Sequence, residues 1–272
     1  MAQQSSTKAL GSPFIELQSV DSTNNYALEQ IHAGLAQHGM AVFAHEQLAG
    51  KGQRGKVWVG EKDTSITLTV VVRPGSLLPA RQFWLSACVA VAVYDFFMNY
   101  AGKETKIKWP NDLYWQDRKA GGVLIENIIG PGDTESMADD RRPPANKEQQ
   151  TAHWKWAVIG VGININQTSF STELQNPVSL KQITGKNFDV IELAREFCQL
   201  LNNHFEQLIT KGFENIYSKY LSHLYKRNQT VKMKKGSRIF EAKIKTVSPA
   251  GKLIVHHSIE EEFDFGEVEW VM

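Results

Sequence analysis

Residues 50–72 read GKGQRGKVWVGEKDTSITLTVVV, a glycine-rich basic loop that runs directly into an alternating β-branched segment. The loop satisfies the pattern G-x-G-x-x-G, and it nearly satisfies G-x-x-x-x-G-K-[ST], in which Val57 takes the place of the hydroxyl residue. Both patterns need a helix directly after the loop, because the helix N-terminus supplies the amides and the positive dipole that hold phosphates. Strand material follows instead, so neither a dinucleotide-binding loop nor a phosphate loop is indicated.

The same loop nevertheless has the chemistry of an anion site. Its three glycines let the backbone approach a ligand closely, and Lys51, Arg54 and Lys56 bring three cations to one short segment. A solvated basic hairpin turn is the alternative interpretation of the loop taken alone. The loop therefore predicts an anionic ligand if other segments supply matching groups.

Composition bounds the class of protein. A chain of 272 residues with a formal net charge of +1 suits one sizeable core with a small appendage and gives no overall field for nucleic acid. Cys88 and Cys198 lie in apolar helical patterns and are predicted to be buried free thiols, which suits a reducing cytoplasm. No secretory signal is visible, and the apolar run FWLSACVAVAVYDFFM is interrupted by Ser86 and Asp95, which favours a buried helix over a membrane span.

Periodicity predicts alternating strands and helices up to about residue 226, followed by short alternating strands in a separate small all-β domain over residues 227–272. The predicted helices are NYALEQIHAG, ARQFWLSACVAVAVYDFFMNYAG, and segments from about 189 to 211 and 213 to 226. The predicted strands are PFIELQSV, MAVFAHEQ, SITLTVVVR, TKIKWP, DLYWQ, KAGGVLIENII and KWAVIGVGINI. Residues at about 130–152 are almost free of apolar side chains and are predicted to be a mobile surface insertion.

Two further segments carry candidate site residues. KWPNDLYW (108–115) places Asn111 and Asp112 directly after a Trp-Pro pair, which bends the chain and fixes where these side chains point. DRKAGGVLIEN (117–127) places Lys119 before Gly121 and Gly122, where backbone can meet a ligand. The alternative interpretations are a turn-forming aspartate and a solvated strand-end lysine.

Taken in order, DSTN, EQLAGKGQRGKVW, KWPNDLYW, DRKAGGVLIE and VIGVGININ resemble the catalytic module of biotin protein ligases. The resemblance implies an α/β fold, with a mixed sheet flanked by helices as in class II aminoacyl-tRNA synthetases and biotin ligases, and a small C-terminal Src-homology-3-like β-barrel. It implies a catalytic biotin- and ATP-binding domain over residues 1–226. Some bacterial relatives carry an N-terminal DNA-binding domain, but DSTN comes after only about twenty residues here, so a repressor function is not expected.

The implied reaction has two steps: biotin and MgATP form biotinyl-5′-AMP, and a lysine of a biotin carboxyl carrier protein domain then attacks this anhydride. The resemblance implies that Lys119 lies between the biotin carboxylate and the α-phosphate, with Lys51 and Arg54 as further catalytic cations. Asp112 is implied as a Mg²⁺ ligand, and a role for it as proton acceptor in the second step stays open.

The resemblance also implies two binding sets. The biotin set comprises Ser22, Thr23, Asn24, Gln47, Lys51, Gly52, Gln53, Lys119, Gly121 and Gly122. The ATP set comprises Lys51, Gln53, Arg54, Lys56, Trp58, Lys108, Asn111, Asp112, Lys119 and Asn164. Helix capping is the alternative for Ser22, Thr23, Asn24 and Gln47, and Ser22 could serve both roles. Core packing is the alternative for Trp58. The family loop often has arginine where this chain has Gln53, Lys51 and Lys56, so retention of the reactive adenylate is expected to differ.

Two other functions compete with this interpretation. A lipoate ligase or related acyltransferase of the same broad fold would share the adenylation or acyl-transfer logic. A non-catalytic ligand- or RNA-binding module would use the basic loop for phosphate contacts alone, but it leaves Asp112 and Lys119 unexplained. We expect a cytoplasmic enzyme, a possible homodimer, with no DNA or membrane partner, whose loop is mobile until biotin is bound.

Overall fold

The computed structural model describes residues 9–131 and 152–271. Apart from its ends, the insertion predicted at about 130–152 lies outside the described residues. In chain order, the first part comprises β1 (Phe14–Leu17), α1 (Thr23–His32), β2 (Ala41–Ala44), β3 (Gly50–Lys51), β4 (Val57–Trp58), β5 (Ser65–Val72), α2 (Gln82–Ala101), β6 (Thr105–Lys108), β7 (Asp112–Trp115), β8 (Arg118–Pro131), β9 (Ala152–Asn164), α3 (Leu180–Thr184), α4 (Val190–Lys211) and α5 (Glu214–Ser222).

A mixed seven-stranded sheet organises this part, in the order β1-β2-β5-β9-β8-β7-β6. Strands β1 and β2 pair in parallel, and all other neighbours pair antiparallel. All eight residues of β5 are buried, as expected for the central strand of a sheet covered on both faces. Strands β3 and β4 form a separate two-stranded hairpin that contains the basic loop.

The two faces of the sheet are covered differently. On one face, alternate residues of β5, such as Ile66 and Leu68, join the main apolar core against α2 and α4. On the other face, Val71 and Val158 pack with Ala27 of α1 in a smaller cluster. Side chains in a strand alternate between the two faces. The residues between the core positions therefore point towards α1.

Helix α2, together with the turn before it, is long and apolar enough to cross a membrane, but most of it is buried inside the fold. It packs against α4, α5 and strands of the sheet, so it is a core helix, as its sequence predicted. Cys88 of α2 and Cys198 of α4 are free and buried, which confirms that prediction.

The second part is a five-stranded antiparallel sheet in the order β13-β12-β11-β10-β14. Its strands are β10 (Thr230–Lys235), β11 (Arg238–Val247), β12 (Leu253–His256), β13 (Glu260–Phe263) and β14 (Glu269–Val271). Among the described residues, side chains of the first part donate hydrogen bonds to backbone carbonyls of this C-terminal sheet and its turns. Trp109 Nε1 donates to the Gly251 carbonyl at 2.9 Å, and the Tyr217 hydroxyl donates to the Val247 carbonyl at 2.6 Å. The C-terminal sheet thus contacts the segment that contains Asn111 and Asp112.

Local differences from the sequence prediction have physical causes. Helix α5 ends at Ser222, not near residue 226, because the following backbone pairs with Ile107 of β6 through the His223 carbonyl and the Tyr225 amide. The short helix α3 was not predicted, since its five residues are too few for a helical pattern. A capping box at Ser179 stabilises it. The domain division at residue 226 stays a prediction.

Candidate active site

The floor of the candidate site is the face of the central strands that points towards α1. Thr67 of β5, Gly162 of β9 and Gly122 of β8 lie side by side across three strands. In the next row, Thr69 lies beside Gly160. We call these five residues the glycine–threonine floor. Glycine and threonine stand where a covered sheet normally has valine or isoleucine, so other side chains approach the sheet closely: Trp58 over Gly162, Asn24 over Gly160 and Asp112 over Gly122.

The N-terminus of α1 forms one wall of the site. Gln47 Oε1 accepts hydrogen bonds from the Thr23 amide at 2.8 Å and the Thr23 hydroxyl at 3.0 Å. Gln47 therefore satisfies an otherwise free helix-end amide. Ser22 occupies the N-cap position but makes no side-chain capping bond, so capping is wrong for Ser22, whereas the Gln47 side chain does bond the helix end. Ser22, Thr23 and Asn24 are all buried.

Asn24 connects this wall to the floor. Its Oδ1 accepts from the Thr69 hydroxyl at 2.6 Å, and its Nδ2 donates to Glu126 Oε2 at 2.7 Å. Lys51 Nζ lies 3.8 Å from Glu126 Oε1. Gly160 is necessary here, because a Cβ at that position would lie 2.4 Å from Asn24 Oδ1. The sequence interpretation missed Thr69 and Glu126. Each follows an apolar strand residue, Leu68 and Ile125 respectively, and this alternation could have indicated that both point to the opposite face of the sheet.

An ion pair lies over the other end of the floor. Lys119 Nζ and Asp112 Oδ1 are 2.7 Å apart, and the two side chains are 35% and 27% exposed. A Cβ on Gly122 would lie 3.0 Å from Asp112 Oδ1 and 3.4 Å from Lys119 Nζ, so the pair sits directly above this glycine. Asp112 is the first residue of β7 and not simply a turn former, and Lys119 is paired and half-buried at the start of β8.

The basic loop is tied to this end of the site by Gln53. Its Nε2 donates to Asn111 Oδ1 at 2.7 Å and to the Val123 carbonyl at 2.9 Å. The Tyr220 hydroxyl of α5 donates to the Pro110 carbonyl at 2.8 Å and so holds the adjacent turn. Gln53 thus links the loop, the turn and β8 without a charge of its own.

The three loop cations do not converge on one point. Lys51 approaches Glu126. The Arg54 guanidinium packs against Gly266 of the C-terminal part, and a Cβ added to Gly266 would lie 3.2 Å from Arg54 Cζ. Lys56 is exposed. Arg54 adopts a left-handed conformation with φ of 56° inside a short 3₁₀ turn. The loop is therefore a hairpin with a definite turn, and its mobility in solution stays a prediction.

Lys108 is buried beside the ion pair, with 7% of its surface exposed. Burial lowers its pKa to about 8; Asp112 acts in the opposite direction, and Lys119 and Lys56 lower the pKa further. Its Nζ donates to the Tyr114 hydroxyl at 3.1 Å. Within the described residues no carboxylate lies within 4.0 Å of this ammonium. A buried cation without a counter-ion is suited to an anionic ligand.

Asn164 and Trp58 are the two remaining residues of the predicted ATP set. Asn164 is buried, and its Nδ2 donates to the Val178 carbonyl at 3.1 Å while its Oδ1 accepts from Gln167 at 3.3 Å. It therefore supports the backbone beneath Lys119. The Trp58 indole covers Gly162, where a Cβ would lie 2.6 Å from the ring. Trp58 Nε1 is buried without a partner among the described residues.

The described residues also limit how a metal ion would be held. Within residues 9–131 and 152–271 no group of three or more His, Cys, Asp or Glu side chains is placed to hold a metal ion. Mg²⁺ usually keeps several waters and binds one or two protein carboxylates together with substrate phosphates. Asp112 and the amide of Asn111 fit binding of Mg²⁺ together with substrate phosphates, and not a site made of protein ligands alone.

Comparison with known proteins relates part of the chain to one family. Residues 16–136 match the Biotin/lipoate A/B protein ligase family. Over 186 residues the chain is 31% identical to the bifunctional ligase/repressor BirA of Bacillus spizizenii, which covers 67% of this chain and 50% of that protein. Over 153 residues it is 33% identical to the biotin--[acetyl-CoA-carboxylase] ligase of Paracoccus denitrificans, covering 49% of this chain and 62% of that one. The chain spans about half the length of the first curated relatives it matches.

The fold is likewise shared with solved structures. A biotin protein ligase from Aquifex aeolicus in complex with biotin and ATP superimposes with a TM-score of 0.74 at 22% identity, covering 97% of this chain and 99% of that one. This agreement includes the C-terminal five-stranded sheet, which is consistent with the predicted Src-homology-3-like domain. The predicted fold class, a mixed sheet flanked by helices with a small C-terminal β-domain, is confirmed.

Proposed function

We propose that this chain is an ATP-dependent biotin protein ligase, because residues 16–136 match the Biotin/lipoate A/B protein ligase family. It forms biotinyl-5′-AMP from biotin and MgATP and then transfers biotin to a specific lysine of a biotin carboxyl carrier protein domain. The observation that carries the proposal is the Lys119–Asp112 pair, 2.7 Å apart above Gly122. It places a cation and a carboxylate together above the glycine–threonine floor.

The α1 end of the floor is proposed to bind the biotin ring system. The ureido group is polar and uncharged, and it needs both donors and acceptors. Thr23, Asn24 and Gln47 offer both kinds, and their orientation is held by Thr69 and Glu126. A polar network of this kind favours a ligand that adds hydrogen bonds to it, because an apolar ligand would exclude water from these groups without replacing its hydrogen bonds.

In the first step a carboxylate oxygen of biotin attacks the α-phosphorus. A P–O bond forms, the bond between the α- and β-phosphates breaks, and pyrophosphate leaves. Two anions must approach each other, so positioned cations are needed to offset their repulsion. Lys119 is proposed to turn from Asp112 to the reacting oxygens, with Lys51 nearer the biotin end, while Lys108 binds the phosphates of ATP. Mg²⁺ would enter with the triphosphate and neutralise part of its charge, held on the protein by Asp112 and Asn111.

In the second step the carrier lysine amine attacks the acyl carbon. A C–N bond forms, the bond to AMP breaks, and the nitrogen loses a proton. Asp112 is proposed to accept that proton, because its carboxylate already attracts an ammonium, that of Lys119 at 2.7 Å.

A lipoate ligase is the second candidate, because the family name covers both substrates. The dithiolane ring of lipoate is apolar, so it would add no hydrogen bond to the Asn24–Glu126 and Thr23–Gln47 pairs that it covers. The polar lining therefore favours biotin. A cytoplasmic location and a homodimeric state stay proposals from the sequence.

The test is to incubate the purified protein with biotin, ATP and Mg²⁺ and to detect biotinyl-AMP by mass spectrometry. Lipoate in place of biotin is the competing substrate, and Lys232→Ala, which changes an exposed lysine of β10, is the matched control for Lys119→Ala. Biotinyl-AMP from the wild type and from Lys232→Ala supports the proposal. Lipoyl-AMP in its place would identify the second candidate, and no adenylate with either acid would refute both.

A further inference from the structure

Lys108 reaches its position beneath the candidate site through a set of aromatic rings from three separate segments. Its Nζ lies 4.8 Å from the centre of the Tyr114 ring in β7 and 5.0 Å from the centre of the Trp270 ring in β14. Tyr225, which follows α5, packs against Tyr114 at 5.0 Å and against Trp270 at 5.8 Å. We call Tyr114, Tyr225 and Trp270 the aromatic box.

The box replaces the counter-ion that a buried ammonium normally has. Cations within about 6 Å of an aromatic ring centre are attracted by the negative face of the ring. Asp117, which follows Tyr114 by three residues, is occupied elsewhere, because it pairs with Lys226 at 2.7 Å and accepts from the Tyr225 hydroxyl at 2.8 Å. The rings therefore hold the charge of Lys108 without neutralising it, and the charge stays available to an anion.

Trp270 is the only member of the box that belongs to the C-terminal sheet. Its strand pairs with β10, and the sheet is fastened to the segment of Lys108 through the Trp109–Gly251 hydrogen bond. On the basis of the proposed function, we propose that Trp270 is a positioning residue, through which the C-terminal sheet holds the Lys108 ammonium for the phosphates of ATP. The small sheet would thus complete the ATP site, although Trp270 contacts no reacting atom.

Loss of the indole should act on ATP affinity and not on the chemical step. Lys108 remains in the protein, but its ammonium can swing away from the site, so the interaction with ATP weakens in the ground state and the transition state alike. We expect Trp270→Leu to raise KM for ATP about tenfold, the size expected when one desolvated cation–π contact is lost. The kcat and the KM for biotin should change little, and Trp270→Phe should restore most of the ATP affinity.

Trp156→Leu is the matched control. Trp156 is also partly buried and carries a cation–π contact, with Arg73 at 4.5 Å, but it lies in β9 outside the box. This variant should keep the wild-type KM for ATP. A KM raised equally by Trp270→Leu and Trp270→Phe, or raised equally by Trp156→Leu, would mean a general structural effect and would overturn the proposal.

A second measurement does not depend on catalysis. Acylation of lysines by an N-hydroxysuccinimide ester, read by mass spectrometry, reports how accessible each amine is. Lys108 should react slowly in the wild type and several-fold faster in Trp270→Leu, while exposed Lys232 serves as the internal reference. Unchanged labelling of Lys108 overturns the role of Trp270. If the wild type makes no biotinyl-AMP, the proposed function fails on its own, and the labelling still decides whether Trp270 holds Lys108.

Discussion

Gly160→Ala tests the geometry of the α1 end of the site. A methyl group at residue 160 would lie 2.4 Å from Asn24 Oδ1 and 3.0 Å from its Cγ. Because unstrained contacts begin at about 3.5 Å, the amide must retreat by about 1 Å. Asn24 is buried and bonded to Thr69 at 2.6 Å and to Glu126 at 2.7 Å, and a shift of this size breaks both bonds.

The structure sets the size of the effect. A neutral hydrogen bond is worth about 1 kcal/mol and one to a carboxylate about 1.5–3 kcal/mol, whereas alanine in place of glycine recovers about 0.4–1 kcal/mol of chain entropy. The net cost is about 2–3 kcal/mol, which lowers Tm by roughly 5–10 °C for a chain of this size. Since Asn24 is also proposed to contact biotin, Kd for biotin should rise about tenfold or more.

Scanning calorimetry and biotin titration calorimetry measure the two effects. Gly130→Ala is the control: it lies in the same β8–β9 hairpin, and its methyl group would lie 2.9 Å from Lys155 Cε, which is near the end of a flexible side chain. That variant should keep the wild-type Tm and Kd. If Gly160→Ala behaves like Gly130→Ala, Asn24 is not held against the floor, and the arrangement described here is wrong.

Three further predictions address the other parts of the site. Lys119→Ala should slow pyrophosphate release about 10²–10³-fold, as expected for loss of one preorganised charge. Its Tm should stay nearly constant, because a partly exposed pair with Asp112 contributes at most about 1 kcal/mol. A folded variant with the wild-type rate would contradict the role of Lys119. The pKa of Lys108, lowered to about 8, predicts that KM for ATP increases as pH rises through that value, because the site then loses a positive charge. Lys108→Met should remove this pH dependence. An identical pH profile in the variant would assign the dependence to another group. Replacing residues 132–151 with a short glycine-containing turn should leave adenylation unchanged, since none of the matched motifs lies there; loss of activity in a folded protein would make that segment part of the site.

Deprotonation of Lys108 affects the stability of the fold with a sign opposite to its effect on ATP affinity. Its pKa in the folded protein lies below the ordinary value of 10.5, so between pH 8 and pH 10.5 the unfolded chain binds more protons than the folded one. The contribution of this group to the free energy of unfolding therefore increases over that window, whereas its contribution to ATP affinity decreases. The different signs distinguish loss of binding from loss of folding at alkaline pH.

Local pattern alone determined much of this protein. Alternation in SITLTVVV identified β5, and the strand after the basic loop ruled out a phosphate loop, because such a loop needs a helix N-terminus. Short motifs such as KWPND and DRKAGG located Asp112 and Lys119, which the fold places 2.7 Å apart. These features depend on neighbouring residues, so they can be seen in a linear sequence.

The tertiary structure decided which distant groups meet. Glu126 contacts Asn24 across 102 positions, and Trp270 meets Lys108 through a strand of the other sheet. Gln47 caps α1, although Ser22 has the favoured residue type. The three loop cations, adjacent in sequence, point to different partners. Such contacts follow from sheet order, the face on which each side chain lies and the docking of the C-terminal sheet, and local patterns do not encode which faces pack together.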